Sequence, residues 1–506
     1  MFNKLYRITF SKFRSGSFSP TPVTTSTNNG ENNDLLQKLI GSFGKYQFWV
    51  FILLTVVKLC SAFHLFAIIF IAPKVTFICL PNNSTNCPCE NPQYIDSVFT
   101  NTIVKQWDLI CERKWMIGFT QFMFQFGNLV GSLLFGAVSD RFGRRLPLIV
   151  ACIIQVMTSY ASVYITNFWW FTAMRFLLGM TVAGGLVLSF VILMELTGSE
   201  YREVTSTLTH SFFLVGEMLL PMIGYFVRDY QTFLLILSII TSSLVIYIFL
   251  LPESPRWLFA VNKPEECVKL VKRIAKVNKL PSENIDSQIE EYHKQHTDTG
   301  KKSSMMDLFG TPNIRKNAIV MSLMWTSCSY CFYGLAQFTG SLSGDIFINV
   351  AINACVTYIG GFLSIPMLKW FRRRPTYMVL NFTCSLCLFV LATCRGTTFA
   401  VVLATLGTVC SYNAFVLVYM QTNEIFPTVV RSAALGFGSM MARVGSMIAP
   451  FIVLLEDFNP WLSPVLFAIP PLVTGIMCLM LPETKGIELL TTLEQGENLG
   501  KIDDKT

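Results

Sequence analysis

The sequence predicts an all-α membrane protein whose twelve transmembrane helices form two pseudo-symmetric six-helix bundles. Three observations lead there. Of 506 residues, 52% are hydrophobic and only 14% charged, against about 25% charged in soluble domains. The apolar residues gather into runs at roughly 47–72, 116–138, 146–166, 168–194, 206–227, 232–251, 317–338, 345–368, 376–394, 397–421, 433–455 and 461–481, each near the ~20 residues that cross a bilayer. The second half of the chain also echoes the first.

The runs must be helices or barrel strands, because lipid offers backbone groups no partners. They are long and lack period-2 alternation, so helices are predicted. The echo has a constant offset of 229: Glu195 with Glu424, Arg202 with Arg431, Gly216 with Gly445, Met218 with Met447, Pro221 with Pro450, and Arg144-Arg145 with Arg373-Arg374. At an offset of 230, Leu251-Pro252-Glu253-Ser254 meets Leu481-Pro482-Glu483-Thr484. Two matching membrane halves can rock against each other around a site between them, which is how secondary transporters are built.

Placement of charge sets the orientation. Lys and Arg cluster before the first span, at Arg141, Arg144 and Arg145, at Arg202, through 256–316, at Lys369 and Arg372–Arg374, and at Arg431. All fall on one side by span count, and the positive-inside rule makes that side cytoplasmic. The cations sit at helix ends rather than on one soluble face, so nucleic acid is not an expected partner. The expected segments are a cytoplasmic tail (1–45), an N-terminal bundle (46–251) with an extracellular loop (74–114), a cytoplasmic linker (252–316), a C-terminal bundle (317–486) and a second cytoplasmic tail (487–506). Within the linker, apolar residues at helical spacing in 268–274 predict amphipathic helices on the cytoplasmic face.

The 74–114 loop holds Cys79, Cys87, Cys89 and Cys111. Outside the cell these predict two disulfides, in one of three pairings. Asn82 and Asn83 head overlapping glycosylation sequons there. Cys328/Cys331 and Cys384/Cys387 have C-x-x-C spacing, but no clustered histidine supports zinc. No metal or cofactor is expected. No nucleophile–base pair or phosphate-cradling loop stands out, so enzymatic activity is not expected either.

Gly136-Ala-Val-Ser-Asp140-Arg141-Phe-Gly143-Arg144-Arg145 follows the second span. Gly136 would let a neighbouring helix approach. Asp140 and the arginines would form charge pairs that latch the two bundles in one conformation. The pattern resembles the signature of the major facilitator superfamily between its second and third helices. The second copy is altered, with Lys369, Trp370 and Arg372 where the first has Asp140, Arg141 and Gly143, so any latch there is weaker or differently built. Glu253 and Arg256 follow the sixth span and Glu483 the twelfth, in sequences typical of sugar porters and organic ion transporters. Gln106-Trp107-Asp108-Leu109-Ile110-Cys111, Arg175-Phe176-Leu177-Leu178-Gly179, Phe332-Tyr333-Gly334-Leu335 and Asn423 to Arg431 favour the organic ion branch. From about residue 45 to 487 the chain resembles the organic cation/anion/carnitine transporter family. Its outer loop is shorter than is usual there.

Ionisable residues inside spans are costly and so point to function. Arg443, about three turns into the eleventh span, would hold a substrate carboxylate bidentately, or else a structural partner. In the resembled family, cation carriers tend to have aspartate at the matching position, and anion and carnitine carriers arginine. Glu217 corresponds to Ser446 in the repeat. It could bridge to Arg443, bind an ammonium or carry a proton, and Lys58 competes for it. Trp325, Phe332 and Tyr333 in the seventh span match family cavity positions; Phe190 in the fourth does too. Tyr412, Phe415 and Tyr419 share one face of the tenth. Aromatic faces suit organic ions and equally suit packing. The resemblance implies a plasma-membrane carrier of small organic anions or carnitine-like zwitterions. Its partners are the bilayer and a small organic ion, with a coupled ion or counter-substrate as the remaining class. An organic cation carrier is the alternative, ahead of a sugar porter or a non-transporting receptor.

Overall fold

A computed structural model describes residues 35–79, 87, 89, 91–95, 98–281, 285–295, 305–394, 398–486, 490 and 492–499. Asn82 and Asn83 lie outside the described residues. Twelve helices are long and apolar enough to cross a membrane: Lys45–Ile71, Cys111–Phe142, Arg145–Tyr164, Phe168–Leu196, Val204–Phe226, Tyr230–Leu250, Pro312–Thr339, Ile346–Trp370, Arg373–Thr393, Phe399–Ile425, Thr428–Asp457 and Leu462–Met480. They are spans 1 to 12 below.

Within the first half, span 1 packs on spans 4 and 5, span 2 on span 4, and span 3 on spans 4 and 6. The second half repeats this: span 7 packs on 10 and 11, span 8 on 10, and span 9 on 10 and 12. The halves meet where span 2 packs on span 11 and span 5 on span 8. Spans 1, 4, 7 and 10 are the most buried. Spans 3, 6, 9 and 12 carry large apolar side chains outward, such as Met157, Phe249 and Leu386. Toward lipid these cost nothing, whereas in water they would form an aggregation surface.

The repeated glycines explain the pairing. A Cβ on Gly216 of span 5 would sit 2.9 Å from the Leu59 carbonyl oxygen of span 1. A Cβ on Gly445 of span 11 would sit 2.2 Å from that of Thr326 in span 7. Small residues let membrane helices approach closely. Pro221 and Pro450 recur inside spans 5 and 11, where proline removes a helical hydrogen bond and bends the axis.

Two ends of the bundle can be told apart. At one, between the end of span 1 and the start of span 2, lie the disulfides Cys79–Cys89 and Cys87–Cys111, which selects one of the three pairings, and strands Phe77–Cys79 and Pro92–Tyr94 pair antiparallel. At the other, the linker forms helix Pro264–Asn278, which buries Cys267, Val271, Ile274 and Ala275. Asn278 ties it to the foot of span 1, accepting from the Tyr46 amide (3.0 Å) and donating to the Ile40 carbonyl (2.9 Å) and Gln47 (2.8 Å). The last described helix, Leu493–Asn498, clips the second bundle in the same way. Glu497 accepts from the Asn313 amide at 2.9 Å, at the start of span 7.

Candidate functional site

Lys58, Phe190 and His210 from the first bundle gather at the bundle interface with Tyr419 and Arg443 from the second. Lys58 Nζ donates to the Leu186 carbonyl at 2.9 Å and lies 5.6 Å over the Phe190 ring. Phe190 meets His210 at 5.8 Å, and His210 reaches across to Tyr419 at 6.4 Å. Arg443 is within electrostatic range of both Lys58 and Tyr419. It is half-buried, and its Nε has no hydrogen-bond partner. Lys58 and Arg443 therefore lie near one another, beside the place where His210 meets Tyr419 across the bundles.

Glu217 is not their counter-ion. It is 1% exposed, its Oε2 has no partner, and no ion pair joins it to Lys58 or Arg443 among the described residues. Its electrostatic neighbour is Tyr412. The Glu217–Arg443 bridge expected from sequence is thus not formed. Gly216, one residue earlier, is pressed against span 1, so Glu217 projects from a different side of span 5.

The aromatic stripe of span 10 divides. Tyr412 meets Phe332 at 5.8 Å. Phe415 and Tyr419 instead pack on Trp325, at 5.4 and 4.2 Å. Trp325 is fully buried and donates to Thr422 at 3.0 Å, so it belongs to the packing of the second bundle. Phe332 and Tyr333, though adjacent, both approach Phe66 of span 1, at 6.3 and 6.0 Å.

At the linker end each bundle carries a clamp. Arg144 pairs with Glu195 (3.2 Å) and Asp140 (2.8 Å). Burial works against the Arg144 charge, but Glu195 and Asp140 outweigh it and hold the guanidinium above its usual range. Glu253 accepts from the backbone amides of Arg144 (2.8 Å) and Arg145 (3.2 Å), a carboxylate placed at the N-terminus of span 3 where the helix dipole favours it. In the second copy Arg373 pairs with Glu424 (2.9 Å), and Glu483 accepts from the amides of Arg373 (2.8 Å) and Arg374 (3.1 Å). Arg202 and Arg431 each donate back to a carbonyl five residues earlier, Thr197 and Phe426.

Three expectations need correction. The partners of Arg144 and Arg373 lie in their own bundle, so in this conformation the motif braces each bundle internally rather than latching the two together. Gly136 has no atom within 4 Å of a built Cβ, so it permits no helix contact. Arg256 makes no ion pair in the described structure, and its Nε is unpartnered. The altered second copy is rebuilt rather than lost. Where Arg144 uses Asp140, Arg373 Nη1 takes the Leu368 carbonyl. Where Gly143 adopts φ +95°, Arg372 has φ −71° and needs no glycine. Arg141 is exposed at the surface.

One buried charge was missed. Arg175 of span 4 is 1% exposed and donates to Gln121 (2.7 Å) and to the His64 carbonyl (3.3 Å), with Phe124 beneath it at 4.4 Å. The sequence signal for it is an ion inside a span, at the head of the Arg-Phe-Leu-Leu-Gly motif.

The chain matches the family described as Sugar (and other) transporter over residues 40–494. It is 34% identical to solute carrier family 22 member 16 of Xenopus laevis, covering 83% of this chain and 75% of that protein. It is 32% identical to the human organic cation/carnitine transporter 2 (80% and 73%) and 30% identical to solute carrier family 22 member 6 of Pseudopleuronectes americanus (80% and 74%). Its fold matches the inward open xylose transporter XylE of E. coli with a TM-score of 0.66 at 16% identity, over 87% of this chain and 98% of that one. Family and fold are those of transporters, not enzymes. The chain is a multi-pass membrane transporter and belongs to solute carrier family 22, the organic cation/anion/carnitine transporters, within the major facilitator superfamily.

Proposed function

We propose that the protein carries small organic anions or carnitine-like zwitterions across the plasma membrane by alternating access, with both termini and the linker in the cytoplasm. The observation that carries this is Arg443: a half-buried guanidinium with an unpartnered Nε, near the Lys58 amine, and without a paired carboxylate among the described residues. A cation in a span needs an anionic partner, and a substrate carboxylate supplies one with the geometry guanidinium binds best. Phe190 and Tyr419 would shape the pocket; Phe332, Tyr333 and Phe66 would close it toward the disulfide loop. The clustering of Lys and Arg at the linker end supports the orientation.

A second possibility rests on Glu217, whose buried, unpartnered Oε2 could take a substrate ammonium instead. Uptake by full-length protein of labelled carnitine, dicarboxylates, urate and tetraethylammonium, repeated with Arg443→Asp, separates them. The expected outcome is loss of anion or zwitterion uptake in the variant. Anion uptake that survives intact overturns the role of Arg443. Accumulation of tetraethylammonium alone, abolished by Glu217→Gln, establishes the cation carrier.

A further inference from the structure

At the disulfide-loop end the two bundles are tied together by charge. Lys74, just beyond span 1, pairs with Glu456 at the end of span 11 at 3.5 Å. Lys114, at the start of span 2, pairs with Asp457. Ser341, beyond span 7, donates to the other oxygen of Glu456 at 2.7 Å. The Glu456 side chain is 11% exposed, that of Lys74 58%. One member of the pair is therefore fixed and the other is free to swing into water.

Two cavities share this ion pair as a wall. The smaller, about 100 Å³, lies between spans 1, 2, 7 and 11 and is lined by Ile69, Gln121, Gln337 and Leu454 as well as by both ion pairs. The larger, about 580 Å³, is bounded by loop residues such as Thr76 and Pro460 and by Phe99. Lys74, Ser341 and Glu456 line both. Among the described residues, the charged side chains of the larger cavity are Lys74, Asp345 and Glu456, one cation against two carboxylates. Asp345 already caps span 8 through the amides of Phe347 (2.8 Å) and Ile348 (3.2 Å). Such a cleft draws ammonium groups and repels dianions.

We propose that the larger cavity captures the ammonium group of the cargo, and that the Lys74–Glu456 pair is a gate which the cargo opens by displacing Lys74 from Glu456. Parting the bundles at this end separates span 11 from spans 1 and 2, so both ion pairs must break. A solute that takes over Glu456 removes one of the two ties as it enters. This rests on the function proposed above and narrows it. Glu456 and Arg443 lie about 20 Å apart along span 11, so a zwitterion would meet Glu456 with its ammonium at the mouth and Arg443 with its carboxylate only after moving inward, whereas a dicarboxylate would find a partner at Arg443 alone.

The test uses the full-length chain at the cell surface, with Val453→Cys as a reporter in the smaller cavity and a membrane-impermeant methanethiosulfonate as probe. Glu456→Gln is expected to raise the labelling rate about fivefold, the scale of one partly exposed ion pair. Lys74→Gln should do the same, and the exchange Lys74→Glu with Glu456→Lys should return the rate to that of the parent. In the parent, carnitine should accelerate labelling and adipate should not. Unchanged labelling in both single variants at normal surface expression overturns the gate. If Glu456→Gln fails to reach the surface, Lys74→Gln, altering a largely exposed side chain, decides alone. Equal acceleration by adipate overturns the ammonium capture. The labelling of the variants needs no transported cargo, so failure of the substrate assignment leaves this result readable on its own.

Discussion

Replacing Glu424 by alanine should cost the second bundle far more than replacing Asp140 by alanine costs the first. Both carboxylates pair with the arginine that opens the third span of their bundle. The Arg373 and Glu424 side chains are only 10% and 15% exposed. Glu424 also accepts from Thr484 at 2.5 Å and from Arg373 Nε at 3.2 Å. Its removal leaves a nearly buried guanidinium with one carbonyl, that of Leu368. Stranding one member of a buried pair costs about 3–5 kcal/mol, and residual solvent access brings this toward ~2–3 kcal/mol. The Asp140 side chain is 69% exposed, and Arg144 keeps Glu195, so its loss should cost at most ~0.5 kcal/mol. At roughly 2–4 °C per kcal/mol for a unit the size of one bundle, Glu424→Ala should lower the apparent melting temperature in detergent by about 5–8 °C and Asp140→Ala by at most ~2 °C. Fluorescence-detected size-exclusion chromatography after a heating series reads both. The double variant Arg373→Ala/Glu424→Ala should lose less than the two single losses added together. Equal shifts for Asp140 and Glu424, or full additivity in the double variant, would refute a clamp held by buried pairing.

Gly143→Ala should destabilise by about 1–3 kcal/mol, because φ there is +95° and a Cβ would meet Glu253 Oε2 at 2.5 Å; Arg372→Ala, at φ −71°, should be nearly silent in the same thermal assay. Loss of the Cys87–Cys111 crosslink, which closes the longer loop, should cost about 3 kcal/mol, somewhat more than loss of Cys79–Cys89; non-reducing peptide mapping should recover those two pairs and no others from this loop. Arg443→Leu should melt no lower than the parent while abolishing anion uptake, since it removes a half-buried ion whose Nε lacks a partner; a drop of several degrees would make Arg443 a structural residue.

The spans were legible because lipid enforces a simple rule: about twenty apolar residues, all helical. Thus the run at 168–194 became Phe168–Leu196, and that at 232–251 became Tyr230–Leu250. The repeat was legible because the same backbone geometry recurs. Glu253 and Glu483 cap the same helix start in each bundle, and Gly216 and Gly445 make the same close approach. The pairings across bundles were not legible. Lys74 and Glu456, or His210 and Tyr419, are far apart in the chain and related by no period, so only the assembled interface brings them together. Arg373 illustrates a third case. Sequence showed the loss of an acidic partner at Lys369, but a backbone carbonyl carries no sequence signature, and it was the Leu368 carbonyl that replaced it.

The repeat also separates residues the fold requires from residues it merely tolerates. Arg443 corresponds to Leu214, which is 2% exposed and part of a hydrophobic core that also takes in Phe332 and Tyr333 of the second bundle. Glu217 corresponds to Ser446, which is fully buried and satisfied by the Arg443 carbonyl at 2.9 Å. In each case one copy shows that a neutral side chain packs well at that place in the bundle. The charged copy must therefore be kept despite its desolvation, and the cost falls on atoms that find no partner within the protein, Arg443 Nε and Glu217 Oε2. The clamps behave in the opposite way, since their charges are present in both copies and paired in both. Charges that recur and pair hold the bundles rigid, whereas Arg443 and Glu217 have no charged counterpart in the other copy and no ion-pair partner among the described residues. On the function proposed above, Arg443 would take the cargo's carboxylate, and Glu217 would matter to cargo only in the alternative of a cation carrier.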